Sequence, residues 1–357
     1  MDDATATAPA KAAETCPVCR RDAGCRVAGD LAACYRQESD DPRTDKSGRT
    51  FHVHRLAPEP VRRLFAEIYV PADLVLQRQI ETWKDAAGKG RTQSRILYHS
   101  DAHSTAWEIA RRGEAWESAC LMAERDFGNQ FFGVCPRVRG KCRVPGTNGE
   151  GWRWMSWDHA CQIRVVRCLW ADIDYCTVGE ALERCRAAGL PRPTAIVASG
   201  HGVHLYWVLA EPYLIDDAGE PPAFCVEDVV DADGRPVLEE DGRPRREAYF
   251  LDADGETVVP KPRLSAKATH IQCVVDSIAE AVGGDHTKDI SRLLRLPGTL
   301  NRKDQRNGNP PRPCELFECD PSRRYPLARF ETFNPPEGSP RASRLRQATI
   351  DFPADDD

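Results

Sequence analysis

Apolar positions recur at helical spacing along Val61, Leu64, Phe65 and Ile68, the stripe of a segment spanning residues 58–83 that Pro71 interrupts. Ser104 stands where a helix N-cap belongs, so residues 106–127 read as a second helix. The period then shortens. Residues 130–134 and 163–173 read as strands, the second running through Cys168-Leu169-Trp170-Ala171 into Asp172-Ile173-Asp174. Thr177 caps an amphipathic helix that continues to Ala188, where Gly189-Leu190-Pro191 ends it. Residues 194–198 form a short strand, Ser199-Gly200-His201-Gly202 a turn, and residues 203–209 a further strand. A last helix covers residues 265–282 and stops at Gly283-Gly284. This order predicts an α/β (α+β) fold with helices on one face of a sheet.

Composition adds limits. A chain of 357 residues, 41% hydrophobic and 29% charged, has length for one large or two ordinary domains but no apolar run long enough to span a bilayer. Its first fourteen residues are Ala-rich and acidic without a hydrophobic signal core, which predicts a disordered leader and a cytoplasmic protein. The net charge of −6 is uneven, because fifteen Asp and Glu face only four Arg between Glu211 and Glu256. The rest of the chain is therefore basic, which permits a phosphate-bearing partner. The expected organisation is a zinc-binding module at 15–40, a linker and helical region at 41–125, a catalytic core at 126–335 with an acidic insertion at 211–259, and a disordered acidic tail at 336–357. Within the insertion, Asp231-Ala-Asp-Gly and Asp252-Ala-Asp-Gly are expected to turn hairpins. They lack the downstream glutamate and flanking helices of a calcium loop.

Alternation along a strand puts Asp172 and Asp174 on one face and Ile173 on the other. Two readings stand for such a pair: a solvated strand end, or two carboxylates around a hard divalent cation such as Mg²⁺ or Mn²⁺. Near the N-terminus, Cys16, Cys19, Cys25 and Cys34 provide four thiols opened by a Cys-x-x-Cys step. They suit one tetrahedral zinc, the other reading being a redox pair or unligated thiols. Cys135 and Cys142 lack partners for a second site.

Three pieces follow one another in order: Asp172-x-Asp174, then Ser199-Gly-His201-Gly-Val-His204-Leu-Tyr-Trp, then Asp285 ahead of Arg292-Leu-Leu-Arg295-Leu-Pro-Gly-Thr-Leu-Asn301-Arg-Lys303. Together they resemble the three motifs of archaeo-eukaryotic-type primases, including the primase-polymerases of plasmids, phages and mobile elements. Phe132-Gly133-Val134-Cys135-Pro136-Arg137 is similar to the strand that precedes the first motif, usually with Asn where Cys135 stands. The likeness spans residues 125–335. It implies a core with an RRM-like sheet and packed helices, and a metal-dependent DNA primase and polymerase acting on single-stranded template. Asp172, Asp174 and Asp285 would then hold two Mg²⁺ or Mn²⁺ ions, with Asp289 the alternate third carboxylate. Ser199, His201, His204, Arg292, Arg295, Asn301, Lys303 and Arg137 become contacts for nucleotide. Arg292 and Arg295, three apart, share a face if they lie on a short helix. The zinc element would help hold template or serve structure alone.

Partners implied are single-stranded DNA, NTPs or dNTPs and, because no Gly-x-x-x-x-Gly-Lys-Ser/Thr loop is present, a separate helicase or replication initiator. Competing classes are a non-catalytic, zinc-containing single-stranded-DNA-binding replication or repair factor, and a nuclease.

Overall fold

The computed structural model describes residues 11–12, 25–28, 31–34, 42–44, 47–55, 59–70, 73–84, 90–96, 110–111, 129–138, 140–143, 153–155, 159–239, 244–285, 290–305 and 308–334. It is a mixed α/β structure with antiparallel sheets and packed helices, as the hydrophobic pattern predicts. Helix α1 (Glu59–Ile68) buries Val61, Leu64, Phe65 and Ile68, the stripe seen in the sequence. Beyond Pro71 the helix does not resume. Strands β1 (Gln77–Lys84) and β2 (Gly90–Ile96) follow, so Trp83 belongs to a ladder and not to a helical face.

A second departure falls in the segment expected to be helical at 106–127. Ala110–Arg111 is extended and pairs with Leu74–Val75, and Val75 is buried; there, tertiary pairing outweighs local periodicity. The remainder of that predicted helix lies outside the described residues. Lys11–Ala12, inside the expected leader, pairs with Arg26–Val27 in a five-stranded sheet that continues through Pro42–Thr44 and Thr50–Arg55. That sheet crosses the boundary expected near residue 40.

The strands that carry chemistry come next. They are β3 (Asn129–Gly133) and β4 (Val165–Asp174), then helix α2 (Val178–Ala187), β5 (Ala195–Ala198), β6 (Gly202–Leu214), helix α3 (Ala266–Ala281), β7 (Leu293–Arg295), β8 (Leu300–Asn301), β9 (Arg312–Pro313) and β10 (Glu315–Cys319). One sheet has the order β4-β6-β5-β10, and a second the order β7-β3-β1-β2. Both helix starts follow their caps. Thr177 and Glu180 form a reciprocal capping box on α2, and Ser265 accepts from the Ala268 amide on α3.

Alternation sorts the β4-β6 pair into two faces. Leu169, Ala171 and Ile173 lie opposite Trp207, Leu205 and Val203, and on this face the Trp207 ring meets Phe330. Helix α3 packs against β4 and against the 3₁₀ segment that carries Phe330, burying Ile271, Val274, Val275 and Ile278. Trp170 and Asp172 lie opposite Tyr206 and His204 on the other face. There Tyr206 stacks on Phe132 of β3, which packs on Phe65 of α1. The core thus fills both sides of the sheet and leaves the ends of β4 and β6 as the polar edge.

The acidic insertion contributes Ala223–Asp228, Arg246–Leu251 and Val258–Val259 to a five-stranded sheet that Gly140–Arg143 and Arg153–Met155 complete. Its two Asp-Ala-Asp-Gly segments are turns, as expected. Among the described residues, no helix is long and apolar enough to cross a membrane.

Candidate active site

The site begins at the last residues of β4. Asp172 pairs in register with His204 and Asp174 with Gly202, so the carboxylates stand where the β4-β6 ladder ends. A glycine is required at 202. A Cβ placed there would sit 2.1 Å from the Ile173 carbonyl oxygen, inside any real contact distance. Asp285 arrives from a remote part of the chain, after α3, by a main-chain contact. Its amide donates to the Asp172 carbonyl at 2.8 Å, and a Cβ on Gly284 would lie 2.6 Å from that same oxygen. That close approach leaves room only for glycine at 284.

The carboxylates are met by side-chain cations. Arg292 Nη2 donates to Asp172 Oδ2 at 2.7 Å and lies 3.6 Å from Asp285 Oδ2, while Lys303 Nζ lies 3.3 Å from Asp174 Oδ2. Burial works to raise the Asp172 carboxyl, but His204 and Arg292 outweigh it, and the group titrates below the usual carboxylate range. Burial also holds His204 below its ordinary value, against the pull of Asp172, so Arg292 is the cation beside Asp172 that does not titrate. His204 Nε2 is 3.5 Å from Asp172 Oδ1, and Nδ1 is buried without a hydrogen-bond partner among the described residues.

The turn between β5 and β6 is fastened from the other end of the chain. Asn301 Nδ2 donates to the Ser199 carbonyl at 2.7 Å, and its Oδ1 accepts from the Lys303 amide at 3.0 Å. One side chain therefore ties the Ser-Gly-His-Gly turn to the segment that delivers Lys303. Arg312 donates to the Gly200 carbonyl at 3.3 Å, and His201 Nδ1 is 3.3 Å from Asp304. Burial lowers the pKa of His201 as well. A cavity of about 440 Å³ opens beside the turn, lined by Tyr175, Thr177, Val178, His201, Val203 and Arg312 among others. Tyr175 has a φ of 51°, is 78% exposed, and carries Lys303 Nζ 5.5 Å from its ring centroid.

Other residues proposed from the sequence are placed differently. Arg292 and Arg295 do not share a helix. Leu293–Arg295 is a strand paired with β3, drawn there by the open edge of Phe131–Gly133, and a spacing of three along a strand does not put two side chains on one face. Arg295 is buried and donates to Asn129 Oδ1 at 2.6 Å, and burial brings its pKa down to about 10. Arg137 is buried too, its guanidinium donating to the carbonyls of Cys135 and Ser291, which makes it a strut between β3 and the segment before β7. Asp289 lies outside the described residues. Asn129 was not anticipated: buried, it also accepts from the Arg302 amide at 2.8 Å, and no motif in the sequence marks it. Tyr175 was missed as well, although its place directly after the second aspartate was a usable signal.

Among the described residues, no three His, Cys, Asp or Glu side chains converge closely enough to hold an ion. The donor chemistry of the acidic edge nonetheless fits a hard divalent cation, since it offers only carboxylate oxygens and Asp172 stays ionised. At the N-terminus, the sulfurs of Cys25 and Cys34 are both buried and 3.8 Å apart. That is far beyond a disulfide bond of about 2.05 Å, and it equals the edge, about 3.8 Å, of a tetrahedron with Zn–S bonds of about 2.3 Å. Cys16 and Cys19 lie outside the described residues.

No protein-family profile matches the chain, and no curated protein matches it. Among solved structures, the chain is similar to the AEP domain of the primase-polymerase (PrimPol) of cyanophage S-2L. The two are 13% identical over 78% of this chain and 99% of that one, with a TM-score of 0.42. It is also similar to primase RepB', at 9% identity over 81% of this chain and 63% of that one, with a TM-score of 0.36.

Proposed function

We propose that the chain is a DNA primase and polymerase that joins nucleotides on a single-stranded DNA template. The observation that carries this reading is Arg292 shared by Asp172 and Asp285 at the end of β4, with Lys303 beside Asp174 and His204 beside Asp172. Mg²⁺ or Mn²⁺ held by the three carboxylates would neutralise phosphate and stabilise the attacking and leaving oxygens. Arg292 and Lys303 bind the polyphosphate of an NTP or dNTP, and His204 donates a hydrogen bond to it. Asn301 positions the Ser199–Gly202 turn beside the segment that delivers Lys303. Arg295 and Arg137 hold β7 and β3 in place and add positive potential rather than contacts.

Cys25 and Cys34, with Cys16 and Cys19, form a zinc module that orders the N-terminal sheet, in keeping with the sulfur separation. Unwinding of duplex belongs to a separate helicase or initiator, and the setting is replication of a plasmid, phage or integrated element. The test is primer synthesis from labelled nucleotides on single-stranded DNA in Mg²⁺ and in Mn²⁺. Synthesis lost in Asp172→Ala while DNA binding is retained supports the enzyme.

A second reading draws on the lack of three converging ligands among the described residues. A non-catalytic DNA-binding factor would bind template and make no product under any metal or nucleotide condition. A nuclease would shorten DNA without needing nucleotides.

A further inference from the structure

The two cations at the acidic edge are held unlike the structural ion pairs of the same molecule. Arg167 grips Asp73 with two nitrogens, Nε at 2.6 Å and Nη2 at 2.9 Å, and Arg192 grips Glu318 likewise at 3.0 and 2.5 Å. These are the parallel forks that planar guanidinium and carboxylate groups adopt when the pair is a fixture. Arg292 does otherwise. Its Nη2 serves both Asp172 and Asp285, and its Nε is buried with no hydrogen-bond partner among the described residues. Lys303 is equally uncommitted, with one ammonium placed between Asp174 and the face of Tyr175.

Exposure grades outward, from 15% for the Asp172 side chain to 42% for Lys303 and 52% for Asp285. The pairs of Lys303 with Asp174 and of Arg292 with Asp285 are exposed enough to exchange partners readily, while Arg292 with Asp172 is the more buried of the three.

We propose that Arg292 and Lys303 are exchangeable counter-ions. They balance the three carboxylates until a divalent cation and a polyphosphate arrive together, then pass to the phosphates as the carboxylates pass to the cation. This rests on the function proposed above and adds a rule to it: divalent-cation binding is conditional on the anionic ligand. Charge makes the same point. Three carboxylates and two cations leave the edge one charge negative, and two divalent ions with a triphosphate bring about equal and opposite charges. Entering together they preserve the balance, whereas either alone displaces it by about four charges.

The test is Mn²⁺ binding by the full chain, followed by electron paramagnetic resonance with and without a non-hydrolysable nucleoside triphosphate. The intact protein is expected to bind Mn²⁺ about tenfold more tightly when the nucleotide is present. Arg292→Gln is expected to bind Mn²⁺ alone about tenfold more tightly than the intact protein, and to gain little from nucleotide. Lys303→Gln gives the same sign with a smaller shift, and it carries the test if Arg292→Gln does not fold by its melting curve. Unchanged or weaker Mn²⁺ binding by the folded variant overturns the exchange. If the intact protein still makes primers in that case, the polymerase assignment survives. If no primers form and Asp172→Asn leaves Mn²⁺ binding unaltered, both are lost.

Discussion

Asp-x-Asp occurs at the end of β4 and twice in the acidic insertion, and the same three letters do different physical work. In the insertion the first aspartate folds back on the main chain. Asp231 Oδ1 accepts from the amides of Asp233 and Arg235, and Asp252 accepts from those of Gly255, Glu256 and Thr257. The amide of Glu256, foremost among these donors, holds the Asp252 carboxyl below its usual range. At the end of β4 the local amides are committed to the ladder with β6, so Asp172 and Asp174 face side-chain cations from distant parts of the chain. A carboxylate capped by its own turn is a structural part. A carboxylate balanced by a long, half-exposed side chain is available for exchange.

Substitution at matched positions breaks the comparison most directly. Asp172→Asn should lower primer synthesis by about 100-fold or more, the scale for loss of one preorganised electrostatic group at a reacting centre. Asp231→Asn and Asp252→Asn should leave synthesis unchanged and only lower the melting temperature. Equal losses from all three would mean that the β4 pair has no special role.

A smaller effect follows from geometry without touching any charge. Gly284→Ala pushes a Cβ against the Asp172 carbonyl and moves Asp285 off the edge, which should cost about 10- to 100-fold in synthesis with template binding intact. Unaltered synthesis in that variant would remove Asp285 from the site and leave the third carboxylate to be sought elsewhere.

The mildest prediction concerns a fixed pair. Glu318 on β10, gripped by Arg192 and Arg323, has its pKa held down to about 2. The unfolded chain binds that proton more readily, so the pair's stabilisation is complete above about pH 4.5 and fades as pH falls toward 2. Acid unfolding monitored by circular dichroism should show a shallower pH dependence in Glu318→Gln. A variant curve parallel to that of the intact protein would sink this assignment.

Much of the frame was legible because it is written locally. Thr177 and Ser265 announce their helices, the α1 stripe is buried as its spacing requires, and Asp172 and Asp174 share a face because a strand alternates. What escaped depends on partners far away in the chain. Arg292 and Arg295 look helical until β3 offers an open edge, and residues 110–111 look helical until Leu74–Val75 pairs with them. Asn129 carries no signal at all, since its task of receiving Arg295 and Arg302 exists only once the chain is folded.

The hydrogen bond from the Asp285 amide to the Asp172 carbonyl has a consequence for exchange with solvent. Although the Asp285 side chain is half exposed, its N–H is hydrogen-bonded to β4, the edge strand of its sheet, so its deuterium uptake should follow the amides of β4 and not the fast ones of a loop. The third acid is thereby registered by main chain alone. A replacement at 285 can erase its charge and leave that clock unchanged.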